Sequence, residues 1–287
     1  YDCTLFHARH GLKSLDGERI TSRKVFNVEG VRVVSLSILP YIKVQSLARI
    51  LGWIHFEVKL FFMKTNDLPP PDYIVASSLS LLSILNGLIL RWRFKSKLIF
   101  EVRDVWPLVL IENGGYHRWN PFVLALRLVE WMGYKYSDQI VATMPNFAPH
   151  VNKVLGYSRK VHCIPMGISD ELLNETKIPL PSDLESQFPE NKFIVTYVGS
   201  IGVDNALDVF FETVRLLQDN PKVVFRVFGK GDLLTRYMAE CSDLNNIFFG
   251  GAIPAGMVQS VLERSSLLYF ATHPSVVLEY GQSLNKM

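Results

Sequence analysis

Hydrophobic and polar positions along the chain follow two periods that take turns. Short runs rich in β-branched residues, at Val31–Ser37, Asp72–Ala76, Leu98–Val102, Gln139–Thr143 and Lys160–Ile164, predict strands. Between them, apolar residues recur at helical spacing near 46–63, 80–93, 121–136 and 146–155. This alternation specifies a parallel sheet with helices on its faces. The uncharged runs "YIVA" and "QIVA" suit strands covered on both sides. Residues 166–191 break the pattern with three prolines, many acids and no long apolar run, as an interdomain connection does. Strands then resume at Phe193–Val198, Val223–Phe228, Ile247–Phe249 and Leu267–Phe270, with helices near 205–218, 232–240 and 255–264. The expected organisation is α/β: one parallel-sheet domain over 1–165, the connection over 166–191, and a second domain over 192–287.

The strand at 193–198 runs into Gly199-Ser200-Ile201-Gly202, and a helix follows. Leu207, Phe210, Phe211, Val214 and Leu217 form one apolar stripe on that helix, with Asp204 or Asn205 placed to cap it. A glycine turn feeding a helix start can hold a phosphate, because the backbone approaches closely and free N–H groups point outward. It can equally be an ordinary strand–helix turn. Gly229 and Gly231 form a second such turn. A dinucleotide fingerprint would need glycine at 234, where Leu234 stands.

"LIFEVRDVWP" (98–107) places Glu101, Arg103 and Asp104 at the end of an apolar strand, with Ile99, Glu101 and Arg103 on one face and Phe100 and Val102 on the other. Charges there are costly unless paired or used. They either tie down a loop or aim into a cleft. His117, His150 and His162 lack metal or triad spacing and read as packed or surface residues; His7 and Arg9 precede a glycine-containing loop and stay as site candidates. Serine-hydrolase elbows, Walker A loops and HExxH motifs are missing from the sequence.

Composition bounds the rest. The chain has 287 residues, 48% of them hydrophobic, enough for two cores. A net charge of +3 is too small to argue for nucleic acid. Three scattered cysteines, without zinc or disulfide spacing, fit a reducing compartment. "YIVASSLSLLSILNGLIL" (73–90) has the length of a short membrane span, but its serines and β-branched start favour a strand, a turn and a core helix. The segments 47–64 and 90–97 mix aromatic and basic residues, which suits either interfacial segments or core helices with basic outer faces. Both ends of the chain read as interior sequence.

Together these stretches resemble the retaining GT-B glycosyltransferases grouped as family 4. The nearest branch is fucosamine-transferase-like and serves bacterial O-antigen (lipopolysaccharide), capsule and exopolysaccharide. "IFEVRDVWP" resembles that branch's version of a strand and loop carrying a His-Asp pair in many relatives. "SDQIVATMPNFAPHVNKVLGYSRKVHCIPMGIS" resembles the passage ending in the family's Ile-Pro-Asn-Gly-Val-Asp. "YVGSIGVDNALDVFFETVRLL", "FRVFGKGD" and "NIFFGGAIP" resemble the successive loops of its nucleotide-sugar domain, and "YGQSLNKM" resembles the start of the segment leading to its acidic donor motif.

The resemblance implies two Rossmann-like domains facing across a cleft, and transfer of a hexose or N-acetylaminohexose with retention, without metal or cofactor. A UDP- or GDP-linked donor would lie along Gly199, Ser200, Gly202, Gly229, Gly231, Gly251, Ser283, Asn285 and Lys286. Glu101, Arg103 and Asp104 would serve the chemistry. A polyprenyl-diphosphate-linked or other glycan acceptor would enter near His7 and Arg9, in a cytoplasmic protein peripheral to the inner membrane. The sequence departs from the family where Ser200 and Asn205 replace an Arg and a Lys and where Arg103 replaces a His; a guanidinium cannot act as a general base. The first strand with its glycine loop and the second acid of the donor motif are expected to be missing, and transfer activity correspondingly weak or absent. A nucleotide-sugar epimerase of the same fold and a silent membrane-associated scaffold are the alternatives.

Overall fold

A computed structural model describes residues 2–9, 23–39, 47–65, 67–78, 80–112, 114–167 and 178–282. They fall into two compact units, one holding residues up to Met166 together with those from Val276 onward, the other Gly167–Ser275.

The first unit contains two sheets. Strands β1 (Thr4–Arg9), β2 (Arg23–Val28) and β3 (Val31–Ser37) pair in the order β1-β3-β2, β1 parallel and β2 antiparallel to β3. Helix α1 (Leu47–Phe61) covers this sheet, with Leu60 packed among Val34 and Leu36. Strands β4 (Tyr73–Ser77), β5 (Lys97–Val102), β6 (Gln139–Ala142) and β7 (His162–Cys163) form the parallel sheet, in chain order. Helices α2 (Ser83–Phe94), α3 (Leu108–Glu112), α4 (Pro121–Tyr136) and α5 (Ala148–Leu155) connect them. The candidate span over 73–90 is thus a strand and part of a helix, and among the described residues no helix is long and apolar enough to cross a membrane.

Local chemistry sets these boundaries. Asn120 accepts the Phe122 N–H at 2.9 Å and Pro121 opens α4, as a capped helix start requires. Gly156 ends α5 in the left-handed conformation. Arg91 grips Asp138 through Nε and Nη2 at 2.9 and 3.0 Å, and Asp138 also accepts the Leu98 N–H at 2.8 Å. One carboxylate thereby joins the end of α2 to the starts of β5 and β6. Phe100 and Val102 are buried in the core while Ile99, Glu101 and Arg103 are half-exposed, as alternation requires.

The second unit includes one short helix before its sheet, α6 (Ser182–Glu185). Its strands β8 (Phe193–Ser200), β9 (Val223–Lys230), β10 (Ile247–Gly251) and β11 (Leu267–Leu268) are all parallel, in the order β10-β9-β8-β11. Helices α7 (Leu207–Leu216), α8 (Leu234–Glu240) and α9 (Ala255–Glu263) connect them. The predicted stripe is real: Leu207, Phe210, Phe211 and Val214 are buried, and Leu217 packs beside them. The other face buries Ile194, Val224, Phe228 and Phe188, the last stacked on Phe228 at 6.0 Å. Phe188 belongs to the Pro-rich stretch, which is therefore part of this core from Ile178 on, where the Ile178 N–H meets the Gly256 carbonyl.

The chain then returns to the first unit. A 3-10 turn, Val276–Tyr280, sets Tyr280 against Phe147 and His150 at ring distances of 5.9 and 5.1 Å, and the Asn146 N–H donates to the Tyr280 carbonyl.

Candidate functional site

The order β10-β9-β8-β11 places the switch of an open parallel sheet between β8 and β11: the chain winds outward from β8 through β9 and β10, then crosses to the other side of β8. Ligands of such sheets collect at the carboxyl ends of the strands beside that switch. The Gly199–Gly202 turn leaves β8 there.

The glycines of this edge divide into two kinds. Gly199 pairs with Gly229 and Ser200 with Lys230, and the Ile201 N–H donates to the Lys230 carbonyl at 3.0 Å. A Cβ on Gly229, whose φ is +148°, would lie 1.7 Å from the Gly199 carbonyl oxygen, and one on Gly231 would lie 2.1 Å from that of Ile201. The second turn is therefore glycine-rich because the first leans on it, and the close approach expected toward a ligand is made toward neighbouring backbone. Gly250 likewise has the Phe228 ring against it. Gly202 differs. It has extended φ and ψ of −133° and 174°, and a Cβ there would meet nothing within 4 Å. Neither backbone strain nor packing explains Gly202, and the space beside it is open. Gly251, at φ +68°, is also open.

The helix cap corrects the sequence expectation. A 3-10 turn, Val203–Asn205, intervenes, and α7 starts behind Ala206, which is in the left-handed conformation and has no side chain able to cap. Asn205 Nδ2 donates to the Ser200 carbonyl at 2.9 Å, and the Tyr197 hydroxyl donates to the same oxygen at 2.5 Å. Asn205 thus closes the loop instead of capping the helix. No side chain caps the first N–H groups of α7, and Asp208 in its first turn is engaged by the Tyr237 hydroxyl and Arg236. Lys230, exposed and in register with Ser200, adds a cation to this edge that the sequence reading passed over. Its position inside "GKG" was the available signal. Ser283, Asn285 and Lys286 lie outside the described residues.

In the first unit, Glu101, Arg103 and Asp104 lie where β5 ends. The Glu101 carbonyl accepts the Ser78 N–H at 2.9 Å, and the buried Ser78 hydroxyl accepts the N–H groups of Arg103 and Asp104 at 2.8 and 3.3 Å. That serine fixes the turn, leaving the Arg103 side chain half-exposed, with Nη2 3.6 Å from Met166 Sδ. His7 and Arg9 lie on β1, His7 exposed and Arg9 half-buried, on a different sheet from the β5 trio.

Two buried polar groupings had no local sequence signal. Glu57 of α1 accepts from Asn86 Nδ2 at 2.6 Å, and burial pushes its carboxyl up to about 7 against the pull of Asn86 and Ser80. Nearby, the Ser77 hydroxyl and the Trp106 indole N–H are buried without a hydrogen-bond partner. Trp106 packs edge-on against Trp53, one helical turn from Glu57. In the second grouping, Glu130 accepts from the Tyr134 hydroxyl at 3.1 Å and lies 2.7 Å from His150 Nε2, and burial raises its pKa. This satisfies the packed role expected for His150. Among the described residues, no group of three or more His, Cys, Asp or Glu could hold a metal ion.

No protein-family model matches the chain. Solved structures do. The E. coli trehalose-6-phosphate structure bound with UDP-2-fluoro glucose superposes with a TM-score of 0.69 at 11% identity, over 95% of this chain and 72% of that one. An α,α-trehalose-phosphate synthase (UDP-forming) from Burkholderia vietnamiensis gives 0.65 at 11%, over 96% and 79%. Anabaena HepE in complex with UDP and glucose gives 0.57 at 15%, over 85% of this chain and only 61% of its own length. Identities this low speak for architecture alone, and the architecture is GT-B, built from two Rossmann-like parallel-sheet domains.

Proposed function

We propose that the protein is a nucleotide-sugar-dependent glycosyltransferase whose second unit holds the donor. The observation that carries this reading is the edge at the β8 switch: an open Gly202, an uncapped helix start and Lys230 together offer a diphosphate amides and a cation. The diphosphate would lie against Gly199, Ser200 and Gly202, with Lys230 and Lys286 neutralising it, and the base near Gly251. In the first unit, Arg103 would hold a phosphate or sugar hydroxyl, with Glu101 and Asp104 accepting hydroxyl protons in hydrogen bonds and His7 and Arg9 lining the acceptor side. With family 4 as the nearest resemblance, transfer would proceed with retention and without metal, the leaving phosphate helping to deprotonate the acceptor.

We further propose a polyprenyl-diphosphate-linked sugar as acceptor, surface polysaccharide synthesis as the setting, and peripheral placement at the cytoplasmic face of the inner membrane. The test is thermal melting with UDP and GDP, then product analysis with labelled donor and a polyprenyl-linked acceptor. A melting shift with one nucleotide that Lys230→Ala weakens supports the donor site. A shift accompanied by epimerised donor and no transfer would move the reading to an epimerase, and the lack of any shift would favour the scaffold.

A further inference from the structure

Helix α1 is apolar on its outer side as well as toward the sheet. Its one acid, Glu57, is buried against α2, while Leu51, Ile54, Val58 and Phe61, spaced three, four and three residues apart, form an exposed stripe on the side away from Leu60 and the sheet. An amphipathic helix in water keeps a polar outer face.

The two neighbouring helices repeat the pattern. On α2, Gly87 faces the sheet, where a Cβ would come within 3.0 Å of Leu98, and Ile89 and Trp92 are exposed on the far side, Trp92 by 84%. On α4, Gly133 faces the sheet, where a Cβ would lie 2.7 Å from the Phe100 ring and 3.1 Å from Ile84 of α2, and Leu124 and Leu128 are exposed opposite it. Asn86–Glu57 joins α1 to α2, and the Gly133–Ile84 approach joins α2 to α4, so the three helices form one layer. Large apolar side chains exposed on each of three neighbouring helices mark an interaction site.

Charge identifies the occupant. The three helices carry six Lys and Arg residues and two acids, and both acids, Glu57 and Glu130, are buried. Arg91 is held by Asp138 and Lys59 by the Ser37 carbonyl, so the exposed cations are Arg93 beside Trp92, Arg127 beside Leu128, and Lys135 over the Trp131 ring at 4.3 Å, with Lys64 just past α1. Two copies meeting through this face would bring like charges together. A bilayer with anionic headgroups takes hydrocarbon, tryptophan and cations at one depth.

We propose that the outward face of the α1–α2–α4 layer docks on an anionic phospholipid bilayer, its aliphatic stripe in the acyl boundary and its Lys and Arg residues among the headgroups. This deepens the peripheral placement proposed above and does not depend on sugar transfer, so nucleotide binding and membrane binding can fail separately. The experiment is flotation of the purified full chain with phosphatidylcholine vesicles, with and without phosphatidylglycerol, at low and high salt. The expected result is flotation with phosphatidylglycerol that weakens with salt. A Leu51→Gln/Val58→Gln/Phe61→Gln variant, shown to be folded by circular dichroism, should lose affinity by roughly tenfold for each side chain. Three outcomes would overturn the proposal: no flotation with phosphatidylglycerol at low salt, flotation that the triple variant leaves unchanged, or a wild-type dimer in gel filtration that the variant converts to monomer.

Discussion

Gly229 and Gly202 look alike in the sequence and behave as opposites in the fold. At Gly229 the obstacle is a carbonyl oxygen of the adjacent strand end, which cannot move without opening the β8–β9 ladder. Gly229→Ala should destabilise the protein by roughly 3 kcal/mol or more, read as a lowered urea midpoint. Gly202→Ala meets nothing and should stay within about 0.5 kcal/mol of wild type while weakening any nucleotide-induced melting shift. If Gly202→Ala binds nucleotide as well as wild type does, the open space beside it is not the diphosphate site. Glu57 supplies the pH-dependent case. Its folded pKa, about 7, lies above the unfolded value near 4.5, so the folded state holds the extra proton between the two. Stability from this group is complete below the unfolded pKa and declines as pH rises toward and through 7, by on the order of 3 kcal/mol in all. Glu57→Gln should remove that decline, so the urea midpoints of variant and wild type should diverge between pH 5 and pH 8. Parallel pH profiles would contradict it.

Among the elements, the Val276–Tyr280 turn makes the least expected contact. Tyr280 rests on Phe147 and His150, and His150 in turn rests on Glu130. Tyr280→Ala should cost about 2 kcal/mol, seen as earlier unfolding in denaturant. The sequence could not disclose this contact, because its partners stand more than a hundred residues apart and none has a local pattern. Elements with a period were legible: β3 was expected at Val31–Ser37 and is found there, and α4 at 121–136 likewise. Strands β1 and β2 were not expected. Both flank β3 in a small sheet and are half-exposed or exposed throughout, so "TLFHAR" and "RKVFNV" carry charges where a buried strand would alternate. In the candidate site, the strand–turn–helix units were legible from their apolar periods. The reason for each glycine was not, since Gly229 answers to a strand thirty residues earlier. The cap of α7 was misplaced because the left-handed Ala206 has no residue preference to announce it.

For the molecule as a whole, the described residues bury separate cores in two compact units, around Phe100 and Val34 in the first and around Phe210 and Phe228 in the second. Separate cores of this size unfold with separate enthalpies unless a ligand couples them. Calorimetry should resolve two transitions, and saturating UDP or GDP should raise the one belonging to Gly167–Ser275 more than the other. A single transition shifted as a whole would show the two cores to be thermodynamically one.

The return of residues 276–282 to the first unit decides how this protein can be divided. Gly167–Ser275 is one uninterrupted run of the chain. Residues 1–166 are not its equal complement, because ending there strips Tyr280 from Phe147 and His150 and bares an aromatic hollow. A gene cut at position 166 should therefore leave the Gly167–Ser275 unit whole and the first unit without its last turn. Supplying the missing turn as a synthetic peptide in trans should restore the latter.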